Sequence, residues 1–87
     1  MGKVKMFYQR TCPHCIAAMQ HLGVLMDENP AYRSVQIEKI DEVAHPLVAN
    51  KYDYYYVPTF FLGDVKLHEG SAGFDNVKAV LDAALES

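Results

Sequence analysis

The sequence predicts a single α/β domain over residues 1–87, with a four-stranded mixed sheet in the element order β-α-β-α-β-β-α and three flanking helices. Two observations carry this prediction. The early β-prone stretches are separated by long segments of helical periodicity, whereas the last two are separated by a short turn. Long crossovers join parallel strands, and a short turn joins antiparallel ones. A chain of this length has room for one core, since it buries only about 60% of the surface that its unfolded form exposes.

The first strand is predicted over Lys3–Tyr8, where apolar side chains alternate between two faces. A helix follows, because Pro13 is tolerated in a first helical turn and the stop signal comes only at residues 29–30, an Asn-Pro pair. Its apolar stripe recurs at spacings of three and four and consists of Ile16, Met19, Leu22 and Met26. Thr11 or Cys12 caps this helix, so Cys12 is expected at the positive end of the helix dipole.

The second half of the chain is predicted to hold one further strand, one hairpin and two helices. The strand spans residues 32–40, and the next helix spans about residues 44–52. Pro46 must lie in the first turn of that helix, because a proline in its interior would kink it. Strands over residues 57–62 and 65–68 form the hairpin around a Gly-Asp turn. The last helix carries an apolar stripe of Phe74, Val77, Val80, Leu81, Ala84 and Leu85.

The charge pattern argues against several classes of partner. The net charge is −3 and no two basic residues are adjacent, which disfavours binding to nucleic acid or to an anionic membrane. The N-terminal residues contain no apolar run as long as a signal peptide or a membrane span requires. We therefore expect a cytoplasmic protein that acts as a monomer. A mature exported protein whose leader has been removed would give the same pattern, and that alternative stays open.

The two cysteines, Cys12 and Cys15, are spaced as Cys-Pro-His-Cys. A disulfide between them would close so small a loop that it would restrict the unfolded chain very little, so chemistry explains the pair better than stability. A thiolate is the nucleophile of disulfide exchange, and a lowered pKa increases its fraction at neutral pH. The helix N-terminus, Arg10 and His14 are candidates for lowering the pKa of Cys12. We predict that Cys12 attacks and that Cys15, one turn further and more buried, resolves the mixed disulfide.

A Cys-x-x-Cys pair is also half of a structural zinc site, which needs four ligands. The histidines available to complete such a site are His14, His21, His45 and His68. They are scattered along the chain, and in a helical turn His14 points away from its flanking cysteines. Redox chemistry is therefore the favoured prediction, with no bound metal or cofactor, and a zinc site is the alternative.

Two segments resemble the glutaredoxins: Phe-Tyr-Gln-Arg-Thr-Cys-Pro-His-Cys over residues 7–15 and Tyr-Val-Pro-Thr-Phe-Phe over residues 56–61. The resemblance covers nearly the whole chain. It implies the thioredoxin fold, glutathione as co-substrate, and a cis peptide before Pro58 that faces the cysteine turn. It also implies that the backbone of Val57 pairs with the cysteine part of glutathione as a short added strand. The other glutathione-binding residues that it implies are Arg10, Tyr56, Pro58, Gly70 and Ser71.

The sequence departs from the glutaredoxin pattern at three places. Gln9 stands where a basic residue is usual, so Arg10 is expected to contact the glycine carboxylate of glutathione instead. Asp75 comes later than the acidic residues that usually hold the γ-glutamyl end, and His14 replaces the more common tyrosine. The residues predicted to tune the reactivity of Cys12 are Arg10, Pro13, His14 and Pro58.

The predicted function is the reduction of protein disulfides or glutathione mixed disulfides through Cys12 and Cys15. The expected partners are disulfide-containing proteins, glutathione and a reductase as electron source. Two alternatives stay open: a thioredoxin-like reductant recharged by a flavoprotein reductase, and a dimeric glutaredoxin that holds an iron-sulfur cluster between two Cys12 thiolates and two glutathiones. Four tyrosines are predicted chiefly to pack, with the lining of a substrate groove as the alternative: Tyr52, Tyr54, Tyr55 and Tyr56.

Overall fold

The sheet has the four strands and the mixed directions that the sequence predicts. The computed structural model of the protein describes residues 2–87. Its strands are β1 (Lys3–Tyr8), β2 (Gln36–Asp41), β3 (Thr59–Leu62) and β4 (Val65–Glu69), in the spatial order β2-β1-β3-β4. β1 and β2 are parallel, whereas β3 is antiparallel to both of its neighbours, β1 and β4. The prediction of a four-stranded mixed sheet is confirmed.

Three α-helices accompany the sheet: α1 (Pro13–Glu28), α2 (Pro46–Ala49) and α3 (Phe74–Glu86). Successive residues of a strand point to opposite faces, so Met6 and Phe7 of β1 enter two different buried clusters. The larger cluster, with Met6, is packed by α1 and α3, and the smaller one, with Phe7, by α2. In the described part of the chain, no helix has both the length and the apolar character needed to cross a membrane.

The start of the second strand was predicted wrongly. Instead of a strand over residues 32–40, a 3-10 helix spans Pro30–Ser34 and β2 begins only at Gln36. Tyr32 and Val35 are both buried, and they lie three residues apart, which is the repeat of a 3-10 helix. Strand alternation would have placed these two side chains on opposite faces of the sheet, so their common burial requires the helical turn.

The second helix is also shorter than predicted, because α2 ends at Ala49 instead of near residue 52. Pro46 opens the helix, as the sequence requires. After α2, two tyrosine rings pack on the sheet. The rings of Tyr52 and Tyr54 each lie 4.9 Å from the ring of Phe7, measured between centroids. These aromatic contacts and Ala49 of α2 together pack the smaller cluster.

The hairpin of β3 and β4 begins two residues later than predicted, at Thr59 instead of residue 57. Pro58 has no N–H to donate to a neighbouring strand, and its carbonyl accepts a hydrogen bond of 2.9 Å from the N–H of Gly70. Gly63 has a φ of +60° in the turn between the strands, a conformation that glycine adopts without steric cost. Glu69 at the end of β4 pairs with Thr59 at the start of β3, so the hairpin begins and ends at the same edge of the sheet.

Candidate active site

The cysteine pair lies at an edge of the sheet where all four strands begin or end. Tyr8, the last residue of β1, is in register with Asp41 at the end of β2. Thr59, the first residue of β3, is paired with Phe7 of β1 and with Glu69 at the end of β4. The residues that follow β1, β2 and β4 and those that precede β3 therefore meet here. We call this the cysteine edge; it comprises residues 9–12, 42–44, 55–58 and 70–71.

Cys12 is the N-cap residue of α1 and has an extended backbone conformation. Its carbonyl accepts a hydrogen bond of 3.0 Å from the N–H of Ile16, and its own N–H donates one of 3.2 Å to the carbonyl of Gln9. Pro13 occupies the first helical position, where its missing N–H costs nothing. The Cys12 thiol thus lies beside the unpaired N–H groups of the helix N-terminus, and the residue is half-buried.

The pKa of the Cys12 thiol lies below its ordinary value although burial acts to raise it. The burial effect is outweighed by hydrogen bonds from the backbone N–H of Cys15, the Cys15 thiol and the backbone N–H of His14. The negative charge of Glu42 also opposes the lowering. Backbone N–H groups at a helix N-terminus stabilise an anion in this way. Cys12 is therefore suited to be the nucleophile.

Cys15 has the opposite environment. It is only 1% exposed, and burial raises the pKa of its thiol to about 11. A hydrogen bond from the backbone of Gln9 lowers this pKa, whereas the neighbouring Cys12 and the carboxylate of Glu42 raise it further. Both cysteines are free thiols. The contrast in acidity favours Cys12 over Cys15 as the thiolate at neutral pH; the division into attacking and resolving cysteine stays a prediction.

The side chains of Arg10 and His14, which were predicted to tune Cys12, are not among the groups that shift its pKa. Arg10 and His14 are exposed, and the contribution of His14 to the thiolate comes through its backbone N–H. Arg10 lines a surface hollow of about 450 Å³ together with Thr11 and Asp41. Tuning of Cys12 by the guanidinium or the imidazole stays a prediction, as do the parts assigned to Pro13 and Pro58.

The peptide bond between Val57 and Pro58 is cis, as the resemblance to glutaredoxins implied. Pro58 is fully buried. The carbonyl of Tyr56 accepts a hydrogen bond from the hydroxyl of Thr59. Within the described chain, neither the N–H nor the C=O of Val57 has a hydrogen-bond partner. This residue can therefore pair with the backbone of a bound molecule.

The other residues of the implied glutathione site also lie at the cysteine edge. Gly70 has a φ of +91° and donates its N–H to the carbonyl of Pro58. Ser71 is exposed, and its carbonyl is 2.9 Å from Nε2 of His68. Asp75 lies in the first turn of α3. Gly70 thus contacts the segment that contains Val57, while the contact of Gly70, Ser71 and Asp75 with glutathione stays a prediction.

The four tyrosines divide into two pairs. Tyr52 and Tyr54 pack on the sheet, as predicted. Tyr55 and Tyr56 are 86% and 71% exposed, so packing does not explain them. Their position directly before Val57 makes them candidates for the substrate groove that was kept as the alternative.

Two acidic residues at or next to the cysteine edge were missed in the sequence. Glu42 accepts hydrogen bonds from the side-chain amide of Gln9 and from the hydroxyl of Tyr54. Its charge acts on both cysteines. Glu69 bonds to the backbone that precedes Val57. The position of Glu42 offered a signal, because a polar residue directly after a parallel strand lies where sites in α/β proteins form. Nothing in the sequence pattern marked Glu69.

The geometry supports exchange between thiols and disulfides. The unpaired backbone of Val57 can bind a disulfide substrate. A thiolate stabilised at a helix N-terminus can attack that disulfide, and a second thiol one turn away can release the product. Across residues 2–87, no three side chains from His, Cys, Asp or Glu come close enough together to hold a metal ion.

Comparisons with known proteins bear on the fold. No family model and no curated protein matches the chain. It is similar to the structure of a malarial protein at 15% identity, with a TM-score of 0.70 and 93% of each chain covered. It is also similar to thioredoxin O2 from Arabidopsis thaliana in its oxidized state, at 21% identity with a TM-score of 0.61, covering 95% of this chain and 74% of that one.

A third similar structure contains the first two thioredoxin domains of Saccharomyces cerevisiae Eps1p. The identity is 12%, the TM-score is 0.54, and the match covers 94% of this chain and 33% of that one. At identities this low, the likeness establishes how the backbone is arranged. Activity has to be argued from the residues at the cysteine edge.

Proposed function

The chain has the thioredoxin fold, as its sequence predicts, and from this premise we propose that it is a glutaredoxin-like thiol-disulfide oxidoreductase. Cys12 and Cys15 reduce protein disulfides or glutathione mixed disulfides. The observation that carries the proposal is the different placement of two thiols one helical turn apart. Cys12 is the half-buried N-cap of α1, where hydrogen bonds lower its pKa, whereas Cys15 is buried, which raises its pKa to about 11. A structural pair of cysteines would not need this difference.

The reaction has two exchange steps. The Cys12 thiolate attacks one sulfur of the substrate disulfide, the substrate S–S bond breaks, and the leaving thiolate takes a proton from solvent. Cys15 then loses its proton and attacks the sulfur of Cys12. The second substrate thiol leaves and an intramolecular disulfide between Cys12 and Cys15 forms. Two electrons have passed from the dithiol to the substrate.

Glutathione is the proposed electron donor. One glutathione thiolate opens the Cys12–Cys15 disulfide, and a second releases the first as glutathione disulfide, which a reductase recycles. The unpaired backbone groups of Val57 support this assignment, because they are free to pair with the cysteine part of glutathione. Arg10 would contact the glycine carboxylate. Tyr56, Pro58, Gly70 and Ser71 would complete the site.

A second candidate function is that of a thioredoxin-like reductant recharged directly by a flavoprotein reductase. The observation that favours it is the hydrogen bonding of Gln9, which occupies the position where glutaredoxins usually have a basic residue. Its amide is hydrogen-bonded to Glu42 and is therefore occupied within the protein. A glutathione site that lacks this contact would bind more weakly than a complete one. Both candidates act as monomers in a reducing compartment such as the cytoplasm.

One assay separates the two candidates. The reduced protein is supplied with a glutathionylated peptide and, separately, with a protein disulfide, and NADPH consumption is followed. One set of reactions contains glutathione and glutathione reductase, and the other contains thioredoxin reductase. The proposal expects turnover in the first set and none in the second. Turnover only with thioredoxin reductase would establish the second candidate, and a parent protein inactive in both sets would overturn the redox function.

A further inference from the structure

The carboxylate of Glu69, the last residue of β4, binds the backbone of two residues of the cysteine edge, Tyr55 and Tyr56. Its Oε2 accepts hydrogen bonds from the N–H of Tyr55 at 2.6 Å and from the N–H of Tyr56 at 3.0 Å. Its other oxygen, Oε1, accepts a hydrogen bond of 2.6 Å from Nζ of Lys66. Hydrogen bonds to a carboxylate are stronger than those between neutral groups. A single side chain therefore holds two consecutive peptide units.

The segment held in this way, residues 55–58, belongs to no helix or strand. At its C-terminal end, the carbonyl of Pro58 accepts a hydrogen bond from the N–H of Gly70. Between these attachments lies Val57, whose own backbone groups make no hydrogen bond within residues 2–87. The contacts of Glu69 and Gly70 thus fix the position of a residue while leaving it open for pairing.

The carboxylate of Glu69 stays charged at every pH at which the thiols react. The hydrogen bond from Lys66, followed by those from the N–H groups of Tyr55 and Tyr56, lowers the pKa of Glu69 to about 2. A group whose pKa is lowered keeps its contacts above that pKa and loses them only as the pH falls through it. The attachment of segment 55–58 is therefore constant over the pH range in which Cys12 ionises.

We propose that Glu69 is a positioning residue, which holds segment 55–58 in the conformation that receives the disulfide substrate. The inference rests on the proposed function and adds a residue to it. Binding to a backbone that is already ordered avoids the entropy cost of ordering it at the moment of binding. Glu69 does not act on the Cys12 thiol, so it promotes capture of the substrate and leaves the acidity of the nucleophile unchanged.

Three variants isolate this role. Glu69→Ala removes both backbone contacts. Glu69→Gln keeps an amide oxygen that can accept from the same N–H groups, and serves as the conservative rescue. Lys66→Ala is the matched control, because it removes the ion pair but leaves the carboxylate on the two N–H groups. For each variant, kcat/KM is measured with a glutathionylated peptide, and the rate of Cys12 alkylation by iodoacetamide is measured as a function of pH.

The expected result is a split between the two reactions. In Glu69→Ala, kcat/KM for the peptide falls by roughly threefold to tenfold. The alkylation profile stays that of the parent, because neither Glu69 nor any group of segment 55–58 is among those that shift the pKa of Cys12. Glu69→Gln recovers most of the loss, and Lys66→Ala behaves as the parent. An unchanged kcat/KM in Glu69→Ala, or an equal loss in Lys66→Ala, would overturn the proposal.

Amide hydrogen exchange tests the positioning role of Glu69 separately from the proposed function. The N–H groups of Tyr55 and Tyr56 should exchange slowly in the parent and in Glu69→Gln, and faster in Glu69→Ala. This readout needs no substrate, so it holds even if the parent reduces no disulfide. Equal exchange at these two amides in the parent and in Glu69→Ala would show that Glu69 does not hold the segment.

Discussion

The hydroxyl of Tyr54 donates a hydrogen bond of 2.6 Å to Oε1 of Glu42, and the amide of Gln9 donates to the other oxygen of the same carboxylate. Burial, followed by this contact, raises the pKa of Tyr54, so the hydroxyl stays a donor. The carboxylate is thereby fixed near the cysteines, where its charge raises the pKa of both thiols. Glu42 opposes the helix N-terminus and makes the thiolate of Cys12 less stable than it would otherwise be.

Glu42→Gln should lower the pKa of Cys12 and make the protein a stronger oxidant. The amide keeps the shape and an acceptor oxygen but removes the negative charge, so the reduced form is stabilised. Each unit of lowered pKa corresponds to at most about 30 mV for a two-electron couple. Equilibration with a glutathione buffer measures the potential. Tyr54→Phe keeps the charge and should shift the potential less. A more reducing Glu42→Gln protein would contradict this role.

The two cysteines should differ in alkylation. The pKa of Cys12 is lowered, so its reactivity rises as the pH increases through a value below that of an ordinary thiol and is lost below that value. With a pKa of about 11, Cys15 has only about one thiolate in a thousand at about pH 8. Iodoacetamide at a series of pH values, followed by peptide mapping, should give modification of Cys12 alone near neutrality. Equal labelling of both residues would reverse the assignment of roles.

Cys15→Ser should trap a mixed disulfide on Cys12, because the substrate thiol can no longer be displaced from within the protein. Release of glutathione from a glutathionylated peptide needs only the attacking thiolate and should persist. Cys12→Ser should lose both activities. Mass spectrometry of the trapped species and the coupled assay check these results. If Cys15→Ser does not act on the glutathionylated peptide although the parent does, the thioredoxin-like candidate is favoured.

The order of the strands and helices and the place of the two cysteines at the start of α1 could be predicted from the sequence, because each depends on residues close together in the chain. The helix start at Pro13 and the spacing of Cys12 and Cys15 are local signals. The contact between Gln9 and Glu42 joins residues 33 positions apart, and no periodicity reports such a pair. Glu69 reaches its N–H partners across a sheet edge, so only the folded chain reveals it.

Elements with competing local signals were predicted less well. Tyr32 and Val35 fit both a strand rich in β-branched and aromatic residues and a 3-10 turn. Packing decided for the turn, since both side chains had to enter the same buried cluster. α2 likewise ends before Tyr52 and Tyr54, whose rings pack on Phe7. Tertiary contacts thus override local propensity where a short segment connects two strands.

Leu81→Ala should destabilise the protein by about 2–5 kcal/mol, because Leu81 is fully buried between α3 and the sheet and the truncation leaves a cavity. Leu47→Ala is the matched control. Leu47 is 79% exposed, so its truncation should change the free energy of unfolding by no more than about 0.5 kcal/mol. Urea denaturation of both variants measures the difference. Equal effects of the two substitutions would contradict the placement of α3 on the core.

His14→Tyr tests whether the imidazole contributes to the acidity of Cys12 beyond the backbone N–H of the same residue. The substitution keeps that N–H, which is one of the groups that lower the pKa of Cys12, and restores the more common residue of the glutaredoxin pattern. If the imidazole interacts favourably with the thiolate, its loss raises the pKa of Cys12 and destabilises the reduced form. The protein should then be a weaker oxidant by tens of millivolts, opposite in sign to Glu42→Gln. Mass shifts after alkylation in glutathione buffers measure this change, and an unchanged potential would assign the lowered pKa to Cys15 and the backbone alone.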